Sequence, residues 1–312
     1  MLRTFLVGAI LLQATQALAQ LSAQGDCSVD HRPSNAVSLL MRDKPLWSYH
    51  FDADGRVPYF HPLALADGAV LTAFAPHDHP WHRGLWFSWK FLNGVNYWDW
   101  EGKKEAVPDG STERVGEETV RGGGRDPVTI EMTLQYRHKA DVVLIEKRSI
   151  VAGSLRRDGS YVLDWRATFT ASRREVILDR TSPTKEPWGG YAGLSYRATQ
   201  SMQDVRVLDS EGREGKQGHG KQARWMDFSG AIGKNGPVAG VTIFDHPENP
   251  RHPTPWFVET QGIQYFGPAL LFHEPLKPPA GQSFTLRYRV MVHPGRGESA
   301  VLEKEYEVFR KK

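Results

Sequence analysis

Ser283-Phe284-Thr285-Leu286-Arg287-Tyr288-Arg289-Val290-Met291-Val292-His293 alternates apolar with polar or cationic side chains almost without a break. Phe284, Leu286, Tyr288, Val290 and Val292 fall on one face, and Thr285, Arg287, Arg289 and Met291 on the other. A period of two is the pattern of a strand with one buried face. The alternation recurs in Val128–Lys139 and Tyr161–Ala171, and less regularly in Val142–Val151, Glu175–Arg180, Ala223–Phe228 and Val238–Phe244. Gly122–Gly124, Gly153, Asp158-Gly159, Gly189-Gly190, Asn235-Gly236-Pro237 and Pro278–Gly281 separate these runs as turns. Many strands joined by glycine-rich turns predict an all-β fold, an antiparallel β-sandwich of supersandwich or jelly-roll type. One short helix is expected at the C-terminal end, where Leu302, Tyr306 and Phe309 recur at four and three residues, and its apolar stripe should cap the sandwich. Asp209–Gln222, rich in Gly, Lys and Glu, reads as a long exposed loop.

Met1-Leu2-Arg3-Thr4, the apolar run Phe5–Leu12 and the ending Ala17-Leu18-Ala19 are the parts of a secretory leader, with cleavage expected after Ala19. A retained membrane anchor needs about 20 apolar residues, and Gln13, Thr15 and Gln16 interrupt this run early. The expected organisation is a signal peptide over residues 1–19 and a single β-sandwich domain over 20–312, exported to the periplasm or secreted. Cys27 is the sole cysteine of the 312 residues, so no intrachain disulfide is expected. Arg3 leaves with the leader, so 38 of the 39 basic residues face the 36 acidic ones, a near balance that argues against a nucleic-acid partner. No later run reaches bilayer-spanning length. With 40% apolar residues the mature chain can bury a large core.

The densest chemistry lies in Pro76-His77-Asp78-His79-Pro80-Trp81-His82-Arg83-Gly84-Leu85-Trp86-Phe87. Three histidines, an aspartate and an arginine within seven residues, shaped by Pro80 and Gly84, are hard to explain as packing. One reading is a metal site on His77, His79 and His82, since imidazole suits zinc, copper or iron. A cupin-type site wants a glutamate a few residues on, and Pro80, Trp81, His82 and Arg83 stand there instead. The other reading is acid–base work on a sugar, with a histidine moving a proton and an arginine holding an oxyanion or carboxylate. Tryptophans 81, 86, 89, 98 and 100 offer flat faces that can stack on pyranose rings, and about half of such aromatics are expected in the core.

A second cluster, Asp245-His246-Pro247-Glu248-Asn249-Pro250-Arg251-His252-Pro253-Thr254-Pro255-Trp256, has four prolines directly after an expected strand. A loop stiffened in this way holds polar groups toward a cleft at little ordering cost. Asp245, His246, Arg251, His252 and Trp256 are its candidates, and His273 offers a third strand end.

At these residues the chain resembles a bacterial family labelled PmoA. The resemblance rests on Pro58-Tyr59-Phe60-His61-Pro62-Leu63, on His79–Trp86 with Asn93-Gly94, on Gly190-Tyr191 with Gly193-Leu194-Ser195-Tyr196-Arg197, and on Asp245–Trp256. It implies a β-sandwich similar to the galactose mutarotase supersandwich and a setting among carbohydrate-processing genes. The methane-oxidising subunit of that name is built of membrane-spanning helices, so its oxygenase role conflicts with a chain that has no span after its leader. Gln264-Tyr265-Phe266-Gly267-Pro268 departs from the Asn-Pro-Phe-Gly-like segment that the resemblance implies at this point.

The sequence therefore points to a periplasmic carbohydrate-active enzyme using histidine-assisted proton transfer in epimerisation, elimination or glycoside cleavage. His79 and His82 share acid and base duties, Arg83 neutralises developing oxygen charge, and Asp245 orients His246 or takes a proton itself. His77, Trp81, Trp86, Arg251, His252, Trp256 and His273 contact the sugar, and both clusters meet in one cleft. No cofactor is expected. The rival readings are a non-catalytic carbohydrate-binding module and a histidine–metal enzyme.

Overall fold

The computed structural model describes residues 27–51, 57–99, 110–124 and 126–312. The expected leader Met1–Ala19 and Trp100 lie outside the described residues.

Two eight-stranded antiparallel sheets make the expected sandwich. The first has the order β1 (Cys27–Arg32), β2 (Ala36–Met41), β3 (Lys44–His50), β4 (Tyr59–Leu63), β5 (Leu85–Ser88), β13 (Gly193–Arg197), β18 (Tyr265–Pro268), β17 (Trp256–Glu259). The second has the order β14 (Met202–Asp209), β15 (Trp225–Ile232), β16 (Val238–Asp245), β19 (Ser283–Pro294), β11 (Tyr161–Ala171), β10 (Asp141–Ala152), β9 (Asp126–His138), β8 (Gly110–Gly123). A small sheet joins β12 (Leu178–Asp179), β6 (Phe91–Leu92) and β7 (Val95–Asn96).

The period-two segments supply the second sheet's centre. β11 and β19 pair so that Leu163 faces Val290, Trp165 faces Tyr288, Ala167 faces Leu286 and Phe169 faces Phe284. Both apolar faces thus turn to the same side, and a one-residue slip would expose all of them. They meet the first sheet in one core, where the Phe87 and Phe169 rings stack at 5.2 Å and the Tyr161 hydroxyl donates to the carbonyls of Leu46 and Ala64.

The other face of β19 is also buried at Arg289, Met291 and His293. The reason is α1 (Ser299–Phe309), which lays Leu302, Tyr306 and Phe309 on Val162, Leu208, Trp225, Phe244 and Met291. The C-terminal helix therefore caps the outer face of the second sheet, as its stripe predicted. Arg289, under the helix, is held by Asp164 at 2.6 Å and Glu305 at 2.6 Å.

Several boundaries differ from expectation. Glu175–Arg180 yields only Leu178–Asp179, and β15 begins at Trp225 rather than Ala223 and runs on to Ile232. Gly230 sits inside the sheet, where a Cβ would lie 2.6 Å from the Gln203 carbonyl oxygen. Ala69–Phe74 is no continuous strand and makes single bridges at Val70, Thr72 and Phe74. Within Asp209–Gln222, a short 3-10 turn spans Gly215–Gly218, Asp209 is buried, and the His219 ring meets Phe257 and Phe272. No helix among the described residues is long and apolar enough to cross a membrane.

Candidate functional site

Alternation in the first sheet sorts its side chains into two layers. Leu85, Phe87, Leu194, Tyr196 and Phe266 point into the sandwich core, so Trp86, Ser195, Arg197 and Tyr265 point out of it. Register then sets them side by side: Tyr59 and Ser195 flank Trp86, and Arg197 faces Tyr265. Trp86, Trp98, Phe257, Tyr265 and Phe272 form a second apolar cluster, with Tyr59, Trp81 and Tyr191 half-buried at its margin. Unlike the second sheet, this face carries no helix among the described residues.

The histidine-rich loop folds over that surface. Gly84 makes the turn back into β5 at φ +71°, and a Cβ there would lie 2.4 Å from the Phe60 carbonyl oxygen. The His82 ring comes to rest 5.1 Å from Trp86 and stacks on Tyr265 at 5.4 Å. His79 stacks on its other side at 4.6 Å, and Trp81 stands edge-on to both. Asp78 Oδ2 accepts from His79 Nδ1 at 2.9 Å and from Arg197 Nη2 at 2.6 Å. The Tyr265 hydroxyl lies 2.7 Å from that of Ser195.

Electrostatics give these groups distinct states. Burial, reinforced by the His79 and Arg197 charges and opposed by Asp78, holds the His82 imidazole well below its ordinary pKa. Its Nδ1 is buried without a hydrogen-bond partner. Burial pushes the Asp78 carboxyl up, but hydrogen bonds from His79 and Arg197 and the Arg197 charge outweigh it and lower its pKa to about 2. Burial pushes the Tyr265 phenol up, against the Ser195 hydrogen bond. At neutral pH the site thus combines a neutral imidazole, a carboxylate and a protonated phenol.

Some expected site residues come together here and others do not. His79, His82, Trp81 and Trp86 converge as described. His77 is exposed. Arg83 lays its guanidinium over the rings of Tyr59 and Phe74, at 5.5 and 5.6 Å, so the cation acting on His82 is Arg197. Trp89 is in the inter-sheet core. Among the described residues no three His, Cys, Asp or Glu side chains are grouped to hold a metal ion. His79 and His82 lie face to face rather than converging on a point, which leaves the His77, His79, His82 metal reading without a geometry.

The 245–256 segment serves another place. Asp245 is fully buried and accepts from Asn249 Nδ2 at 2.7 Å, His252 Nδ1 at 2.7 Å and the Thr254 amide at 2.9 Å. His252 Nε2 reaches the Tyr306 hydroxyl at 3.3 Å, and the His246 ring meets Phe309 edge-on at 5.1 Å. Arg251 donates to the carbonyls of Leu270, Glu274 and Pro275. Trp256 stacks on Phe266 within the inter-sheet core. His273 is exposed, with its carbonyl accepting from Arg180. The expected common cleft is therefore not formed: one histidine group lies on the outer face of the first sheet, the other against the helix covering the second.

Residues 36–307 match the model of DUF6807, a family of unknown function. That match corrects the PmoA resemblance, which nothing else supports; the Gly, Pro and aromatic strings that carried it are largely the turns and sheet positions this sandwich needs. No curated protein matches the chain. Among solved structures, an alpha-galactosidase from Lactobacillus brevis is similar with a TM-score of 0.41 and 9% identity, over 86% of this chain and 39% of that one. A GH36 alpha-galactosidase from Geobacillus stearothermophilus, in complex with raffinose, gives 0.36 and 12% over 86% and 40%. A polysaccharide lyase gives 0.33 and 14% over 87% and 33%. The chain thus spans 33–40% of the length of these weakly similar carbohydrate-active proteins.

Proposed function

The chain belongs to the DUF6807 family, whose function is unknown, and from the site's own chemistry we propose that it binds a sugar or sugar derivative on the outer face of its first sheet and moves a proton on it through His82. The observation that carries this reading is a buried, neutral imidazole with an unpartnered Nδ1, held over Trp86 and Tyr265. A base must be unprotonated at working pH, and His82 is kept so by its surroundings. The Ser195–Tyr265 hydroxyl pair, on the tyrosine that stacks on His82, supplies proton-bearing groups nearby. Trp81 and Tyr191, half-buried at the margin, offer the flat apolar faces on which a pyranose stacks, with Trp86 and Trp98 buried behind them. A conventional glycosidase pair needs one carboxyl that stays protonated. Asp78, the carboxylate beside His82, is ionised throughout the working range, which favours histidine-centred epimerisation or elimination over ordinary hydrolysis.

The test is a panel of mono- and oligosaccharides examined by calorimetry and by product analysis. His82→Gln should retain sugar binding and lose turnover by roughly 10²–10⁴-fold, the usual contribution of a placed general base. Binding without turnover in the wild-type protein would transfer the site to the non-catalytic module reading, and no binding at all would overturn it. The leader-like Met1–Ala19 supports work outside the cytoplasm, and the N-terminus of protein exported by a bacterial host should read Gln20 first. An intact Met1 on active protein would oppose export.

A further inference from the structure

Arg197 is the side chain the proton-transfer scheme leaves unused. Its side chain is 2% exposed, and its Nη2 donates to Asp78 at 2.6 Å. Its Nε and Nη1 are buried with no hydrogen-bond partner. A guanidinium carries five N–H donors, and leaving charged donors unpaired away from water is costly. Other cations around this face are already matched. Lys90 is held by Asp99 at 2.6 Å, Lys216 by Glu259 at 3.3 Å, and Arg180 and Arg251 donate to carbonyls between 270 and 275.

We infer that the ligand of this site is an acidic sugar, whose carboxylate accepts from Arg197 Nη1 while its ring lies on the aromatic face beside His82. This rests on the sugar-binding reading above and names its substrate class. Two observations favour a carboxylate over a hydroxyl. The negative charge opposing Arg197 comes from Asp78, which is 33% exposed and shares the same oxygen with His79, so its compensation of a nearly fully buried cation is partial. A charge-assisted hydrogen bond to a carboxylate is also shorter and stronger than one to a neutral hydroxyl. Arg197 follows Ser195 on the same strand face, and faces Tyr265 across the ladder, so an anion bound to it is adjacent to the His82 ring stacked on Tyr265.

The experiment pairs uronate-containing oligosaccharides with the same oligosaccharides after reduction of their carboxyl groups to hydroxymethyl groups. Wild-type protein should bind the acid form tighter by about 10- to 100-fold, the range of one charge-assisted hydrogen bond. Arg197→Gln should erase that difference. Equal affinity of the wild-type protein for both forms overturns this inference and leaves the sugar site standing. Binding of neither form overturns the sugar reading itself. An acid preference that survives in folded Arg197→Gln protein places the carboxylate elsewhere and also overturns the inference. If that variant does not fold, the paired ligands on wild-type protein decide alone.

Discussion

His82 and Arg83 are neighbours in the chain with different surroundings, and the difference shows how a residue acquires a role. His82 packs on Trp86 and Tyr265 within the aromatic cluster, while Arg83 lies over Tyr59 at its margin and over Phe74. Crowding of imidazoles and indoles made His79, His82, Trp81 and Trp86 legible in the sequence. Arg197 and Tyr265 were not, because what joins them to His82 is strand register across positions more than a hundred residues away. Alternation in Gly193–Arg197 does separate Ser195 and Arg197 from the core-facing Leu194 and Tyr196, but it does not say which outer face the helix covers. The depressed imidazoles also set a pH dependence. Burial lowers His82 well below 6.5, and burial with the His50 charge lowers His61 to about 4. Between those values and 6.5 the unfolded chain binds more protons than the folded one, so stability falls as pH drops below about 6.5 and is unaffected by these groups above it. Urea midpoints measured from pH 7.5 to 5 should decline for wild-type protein, and His61→Gln should decline less steeply. Parallel curves would remove His61 from the acid response.

Among elements, legibility followed position in a sheet. β11 and β19 are hydrogen-bonded on both sides with one face in the core, so burial imposes the period of two on their sequences. β8 is an edge strand with mostly exposed or half-buried side chains, and its sequence Gly110–Gly123 shows little hydrophobic alternation. β15 was cut short because its small residues are selected by close approach of neighbouring backbone rather than by turning. The terminal helix was legible because three apolar residues at helical spacing have no other use. At 11 residues it is too short to be stable alone in water, so packing must hold it. Leu302 is 1% exposed within its cluster. Leu302→Ala should cost about 2–5 kcal/mol, read as a lower urea midpoint with an unchanged slope. A loss below about 1 kcal/mol would mean the helix contributes little to the fold.

At the scale of the molecule the two sheets divide the work. The core between them is packed, α1 lies on the outer face of the second sheet, and the outer face of the first carries the buried aromatic cluster with His82 and Arg197. Packed sheets stand about 10 Å apart, and side chains on their outer faces are farther apart still. The Asp245–His252–Tyr306 chain ties the 245–256 loop to the helix. Substitutions on the two faces should separate cleanly. Asp245→Ala leaves the Asn249, His252 and Thr254 donors without their acceptor, and each such buried group costs about 1–3 kcal/mol. That variant should melt several degrees lower, yet bind sugar with wild-type affinity at a temperature where it is folded. His82→Gln should do the reverse, losing turnover while circular dichroism and sugar affinity stay close to wild type. Calorimetric binding and thermal melts on both proteins check the pair. Weakened sugar binding by folded Asp245→Ala protein would show that the faces communicate through the core and would return the 245–256 loop to the functional site.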